Sequence, residues 1–216
     1  MKVDYIWRVD NFDVHYTPIT NGGGDYFALE YAEVIYKFYG SVDSAMEWCA
    51  GPGFIGYSLL ASKLCNNISF VEMTDLAINQ LKKTKENNSS YADNINIYQG
   101  NRLDCLPSTK KFDLVVGNPP HWSSLEAANK SLNATNADEQ INLLVDNNWE
   151  AHQDFFKQMK QLLSADGRIL LQECSLGSSP NDFKEMITDA GFRITFVQES
   201  PMYKRNNIYY MEIKHI

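Results

Sequence analysis

The chain has few cysteines and does not group them. Cys49, Cys65, Cys105 and Cys174 form no CxxC pair and have no histidine cluster beside them, so neither disulfides nor a metal site is expected. No apolar run approaches the roughly 18 residues that a membrane-spanning helix requires, which points to a soluble globular protein with no membrane partner. The opening MKVDYIWRVDNFD lacks the apolar segment and small-residue cleavage site of a signal peptide, and a cytoplasmic location is expected. Positive charge is scarce as well: 19 Lys and Arg against 27 Asp and Glu leave a net charge of -8. A broad basic face for neutralising phosphates is therefore missing, and a nucleic acid would be met only through a local patch or a partner.

What is present suits a single core. Of 216 residues, 44% are hydrophobic, enough for one sizeable domain and too short for two full ones. After a glycine turn at Asn21-Gly22-Gly23-Gly24, the stretch YFALEYAEVIYKFY places apolar side chains at helical spacing, so residues 1–40 read as an N-terminal extension with a helix. From residue 41 to 216, short apolar runs (SAMEWCA, ISFVEM, INIYQG, FDLVVG) alternate with helical patterns (FIGYSLLASKL, LAINQLKKTKE). That alternation predicts an α/β fold with a mostly parallel sheet covered on both faces. HQDFFKQMKQLLSADG reads as an amphipathic helix closed by its glycine, followed by strand RILLQEC, helix DFKEMITDAGF and two last strands, ITFVQES and NIYYMEIKHI, that form an antiparallel hairpin. Between them, Ser123 to Asn148 is polar and long for a connection, as an active-site cover or a partly mobile segment would be, with INLLVD as a helical turn.

Two segments carry chemistry. In Glu47-Trp48-Cys49-Ala50-Gly51-Pro52-Gly53 a strand ends and a helix begins, and the glycines let backbone lie directly against a ligand. Alone, such a turn also serves as plain punctuation. Glu72, 25 positions after Glu47, closes the next strand with Met73 behind it, where an acid accepts ribose hydroxyls. A negative charge at Glu47 suits an ammonium or sulfonium better than the pyrophosphate of a dinucleotide. The second segment, Asn118-Pro119-Pro120-His121, follows FDLVVG at the edge where open parallel sheets place ligands. Its prolines fix the backbone and remove two donors, leaving acceptors: the Asn118 carboxamide oxygen and nearby carbonyls. Acceptors of this kind can grip the N–H bonds of a planar nitrogen, whose lone pair is delocalised, and stabilise the positive charge that develops during its attack.

Glu47 to Gly53 resembles the acid-x-Gly-x-Gly-x-Gly signature of class I S-adenosylmethionine-dependent methyltransferases, with Cys49 at the first glycine position. The resemblance implies a three-layer Rossmann-like sheet and S-adenosyl-L-methionine as cofactor. Cys49, Ala50 and Gly51 would hold its methionine part, Glu72 its ribose, and Asn101, after Gly100, its adenine amine. Asn118 to His121 is similar to the Asn/Asp-Pro-Pro-aromatic motif of amino-methyltransferases that act on adenine, guanine or protein glutamine. His121 stands at the stacking position, and Trp122 is a second source of an aromatic face. The expected activity is N-methylation of a planar amine or amide, with protein, an RNA or DNA base, or a small metabolite as acceptor. A partner-binding subunit that keeps the fold without turnover, and a nucleotide-dependent oxidoreductase sharing only the first turn, are the alternatives. His15, His152 and His215 read as surface or packing residues, and Lys82, Lys83 and Lys85 as a solvated helix face.

Overall fold

A computed structural model describes residues 4–21, 24–132, 139–201 and 207–216. Its centre is a seven-stranded sheet built from β3 (Val42–Trp48), β4 (Cys65–Glu72), β5 (Ile95–Gln99), β6 (Phe112–Gly117), β7 (Leu163–Cys174), β8 (Phe192–Glu199) and β9 (Ile208–His215). They are ordered β5-β4-β3-β6-β7-β9-β8. The pairs from β5 through β7 are parallel, while β9 runs antiparallel to both β7 and β8. The α/β class, the mostly parallel sheet and the antiparallel C-terminal hairpin thus stand as the sequence pattern implies.

Strand β6 shows why its run is unbroken: Leu114 and Val116 join the core cluster on one face, and Val115 the cluster on the other. On the first face pack α2 (Gly24–Phe38), α3 (Phe54–Ala61) and α4 (Asp75–Asn87), through Tyr31, Ile35, Phe54, Tyr57 and Leu81. On the second face α6 (Glu150–Leu162) and α7 (Pro180–Asp189) bring Phe155, Phe156, Met159, Phe183 and Ile187. The chain runs outward from β3 to β5, then returns to place β6 on the other side of β3. Such a reversal opens a crevice at the carboxyl ends of the two strands, because the loops leaving them diverge.

Three details differ from the sequence expectation. An N-terminal hairpin, β1 (Tyr5–Val9) with β2 (Phe12–Tyr16), lies where no strand was expected; it packs Phe12 and Val14 into the first cluster and ties His15 N–H to Thr84 Oγ1 of α4 at 2.9 Å. Its signal was Asp10-Asn11, a two-residue turn with Asp10 at φ 48, between apolar alternations. The helix read as ending on Gly167 stops at Leu162. Gly167 lies inside β7, where a Cβ would stand 2.8 Å from the Phe112 carbonyl. The residues from Ser164 to Gly167 are an irregularity that shifts the register against β6. Of the glycine turn before α2, Gly22 and Gly23 lie outside the described residues; α1 (Pro18–Asn21) precedes them.

Candidate active site

The crevice holds a cavity of about 460 Å³. Lining it are Glu47, Cys49 and Ala50 from the end of β3, Glu72 and Met73 from the end of β4, Asn101 after β5, and Asn118, Pro119, Pro120 and His121 after β6. Four loops leaving neighbouring strand ends therefore converge where the topology reverses. Gly51 and Gly53 do not line the cavity; they shape the turn beneath it.

That turn is strained in a specific way. Cys49, Gly51 and Gly53 have φ of 53°, 53° and 86°, all left-handed. At Gly53 a Cβ would fall within 3 Å of Leu81, Tyr57 and Phe70, so packing and backbone both demand glycine. Cys49 occupies the same backbone region with a side chain, a conformation that costs an L-residue about 1–2 kcal/mol.

Glu47 does not face the cavity with a free carboxylate. Its Oε2 accepts from the Gly56 amide at 2.7 Å, in the first turn of α3, and the Ile55 amide also serves it. It satisfies two amides that the helix itself leaves unpaired. Burial pushes its carboxyl up to about 8, against the pull of these amides. The sequence reading gave Glu47 to the ligand alone; its first partner is the helix.

Glu72 is also engaged. Oε2 accepts from Gly51 N–H, and Oε1 from Met73 and Thr74 N–H, each at 2.8 Å. Of about four lone-pair positions on a carboxylate, three are taken, so one hydroxyl fits on Oε2 without displacing an amide. Accepting both hydroxyls of a ribose requires an amide on Oε1 to give way.

Asn118 presents the reverse case. Its Oδ1 is buried without a hydrogen-bond partner, although buried polar atoms are nearly always paired. The backbone before it is pinned by the Tyr31 hydroxyl of α2, which lies 2.6 Å from the Gly117 carbonyl and 3.1 Å from that of Leu170. Leu144 to Asp146 run back beside the motif: His121 and Trp122 N–H both donate to Leu144 O, and Asp146 N–H returns a bond to Trp122 O. Leu143, Leu144 and Val145 close that side of the cavity, and Ile19, Thr20, Asn21 and Phe27 of the N-terminal segment close another. The described parts of the long segment include α5 (Leu125–Leu132) and a 3₁₀ turn at Glu139–Leu144, and it is the end of that turn with Val145 that borders the cavity.

His121 is held from behind. Its Nδ1 lies 3.0 Å from Glu173 Oε2, and Glu173 Oε1 is 3.2 Å from Nε2 of His152, whose Nδ1 is 2.7 Å from Asp146 Oδ2. All four are buried. Burial opposes charge on Glu173 and Asp146, but the imidazoles and amides facing them outweigh it and hold both carboxyls below the usual range. Burial likewise opposes charge on His152, and its two carboxylates raise it regardless. The sequence reading placed His152 on the surface or in packing. Its position on the apolar stripe of α6 with Phe155, Phe156 and Met159 argues against the surface and fits a packed histidine equally. Of the other two histidines, His15 is buried and His215 packs on Phe192.

The cavity at the strand-order reversal is thus bounded by a glycine turn, an acid and an unpaired carboxamide. Residues 41–141 match the methyltransferase small domain family. The chain is 32% identical over 130 residues to a bifunctional methyltransferase of Rickettsia prowazekii, a match covering 59% of this chain and 24% of that relative. It is 29% identical over 129 residues to a tRNA1(Val) (adenine(37)-N6)-methyltransferase of Glaesserella parasuis, covering 59% and 50%. The chain thus matches half or less of the length of these relatives. Among solved structures, the Thermus thermophilus 16S rRNA N2 G1207 methyltransferase in complex with AdoMet and guanosine superposes with a TM-score of 0.63 at 15% identity, over 99% of this chain and 50% of that one. The resemblance to a class I, Rossmann-like methyltransferase agrees with the family match over residues 41–141 and with the fold of these neighbours. The one free position on Glu72 and the backbone at Cys49 and Ala50 on the cavity wall are the groups that a nucleoside-bearing molecule would meet there.

Proposed function

We propose that this chain methylates an exocyclic, planar nitrogen, with adenine in RNA as its acceptor class. The observation that carries the reading is Asn118 Oδ1, a buried acceptor without a partner, on a rigid Pro-Pro loop at the cavity wall. Left unpaired, it costs about 1–3 kcal/mol, which an N–H of the acceptor returns on binding. Bound S-adenosylmethionine supplies an electrophilic methyl group. Asn118 and the Pro119 carbonyl orient the nitrogen and meet the positive charge that grows on it, while Leu143, Leu144 and Val145 keep water from one side. Glu72, with Met73 beside it, takes a ribose hydroxyl, and Asn101 accepts from the adenine amine of the cofactor through its carbonyl oxygen. Cys49, Ala50 and Gly51 offer backbone to the methionine part.

The relatives named for N6 of adenine in tRNA support the base; the net charge of -8 supports a second acceptor, a glutamine amide, which brings no polyanion. Transfer of labelled methyl groups to an adenine-containing oligoribonucleotide and to a glutamine-containing peptide separates the two. Label in the oligoribonucleotide alone supports the proposal. Label in the peptide alone overturns the base while keeping the amide, and S-adenosylmethionine binding with label in neither acceptor favours a partner-binding subunit.

A further inference from the structure

Burying two carboxylates and two imidazoles in one chain of contacts is costly unless the arrangement is used or exceptionally well satisfied. Here it terminates in the residue after the Pro-Pro pair. Both ring nitrogens of His152 face carboxylate oxygens, Asp146 on one side and Glu173 on the other. Two such hydrogen bonds require a proton on each nitrogen, so His152 is an imidazolium between two anions. Its ring lies 4.8 Å from Phe183 in a stacked geometry, and meets Trp48 and Trp149 edge-on at 5.1 and 5.4 Å, both at 87°. The stacked face of Phe183 is favourable to a cation. Asp146 is fixed independently by the Ala151 and His152 amides at the start of α6. Just before them Asn148 and Trp149 both hold left-handed backbone, at φ 52 and 60. For a bulky residue such as Trp that conformation persists only where the surroundings enforce it.

With Asp146 and Glu173 ionised and His152 charged, the relay carries one net negative charge. Glu173 Oε2 faces His121 Nδ1 and also accepts from the Ser178 hydroxyl at 3.1 Å, which in turn lies 3.3 Å from the Tyr209 hydroxyl. Among the described residues, these groups, with His152 and Asp146 behind them, stand on the buried side of His121, and Tyr31, Cys49 and Cys174 also lie within electrostatic reach of Glu173. Nδ1 is the ring nitrogen that faces Glu173 Oε2; in the tautomer that carries its proton there the lone pair is on Nε2, and His121 lines the cavity. That lone pair fits a specific need. Methyl transfer forms an N–C bond and breaks an S–C bond whose electron pair stays on sulfur; the acceptor nitrogen is left cationic and must lose a proton.

Resting on the N-methylation reading, we propose that His121 Nε2 accepts this proton, and that Glu173, His152 and Asp146 are positioning residues that fix its tautomer and stabilise the resulting imidazolium. The proton then leaves Nε2 for solvent as product departs. A stacking residue alone has no use for a buried anion behind its ring.

The test reads ring nitrogens directly in the full chain labelled with ¹⁵N-histidine at neutral pH. Expected are a His121 ring with its proton on Nδ1 and an unprotonated Nε2, and a His152 ring protonated at both nitrogens. In Glu173→Gln, whose amide offers one oxygen where three donors converge, the Nδ1–H form of His121 loses population. A proton on Nε2 in the wild type, or an unchanged tautomer in Glu173→Gln, overturns the proposal. The wild-type spectrum decides even if the variant fails to fold. On the adenine oligoribonucleotide, Glu173→Gln is expected to lower kcat at least about tenfold with KM changed by less than about twofold, the range of a lost proton acceptor; an unchanged kcat also overturns it. Absence of turnover by the wild type on that oligoribonucleotide counts against adenine as acceptor, and the spectrum then judges the relay separately.

Discussion

At the scale of single residues, the site rests on a few atoms whose partners define their roles. Asn118 Oδ1 is kept unpaired, so Asn118→Ala is expected to lower kcat by about 10²–10³, the usual loss of one oriented transition-state partner, while S-adenosylmethionine affinity changes little. Steady-state kinetics beside calorimetry checks both halves. Gly53→Ala is a purely structural lesion: a left-handed backbone and three neighbours within 3 Å predict a loss of about 2–3 kcal/mol, measured by denaturant unfolding. These positions were legible because glycine spacing and Asn-Pro-Pro are local signals. The relay was not. Residues 121, 146, 152 and 173 come from two loops, a helix and a strand, and no spacing along the chain relates them. A histidine on an apolar helical stripe was the only hint, and it equally describes a packed one.

At the scale of elements, the alternation of buried strands with amphipathic helices was readable because both periods are local. What escaped was set by tertiary context. The hairpin β1–β2 buries one side against α4, and its sequence mixes charge with aromatic residues. Gly167 resembles a helix terminator until β6 is beside it. The glycine turn and α3 are coupled by Glu47, a buried acid pushed up to about 8. Because its folded pKa exceeds the ordinary value of 4.5, the folded state binds the proton more tightly than the unfolded chain. Stability from this group is therefore present at low pH and falls as pH rises from about 4.5 to 8. His152, raised from 6.5, acts in the same direction above that value. Melting temperature should thus decline between pH 6 and 8, and Glu47→Gln should flatten the decline. An equally steep decline in the variant would assign the effect elsewhere.

At the scale of the whole molecule, a crevice created by topology is narrowed by Leu143 to Val145 on one side and by the N-terminal segment on another. Among the described residues no helix is long and apolar enough to cross a membrane. The strand order that reverses at β3 and β6 explains why Glu47, Glu72, Asn101 and Asn118, spread over more than 70 positions, meet around one cavity. The central claim is that this cavity holds S-adenosylmethionine against Glu72. Calorimetry of the intact chain and of Glu72→Ala with S-adenosylmethionine and S-adenosylhomocysteine tests it most directly. Micromolar binding of both to the intact chain, weakened at least about tenfold, or roughly 1.4 kcal/mol, in a variant that still melts cooperatively, is the predicted result. No binding to the intact chain, or equal binding by the two proteins, would contradict it.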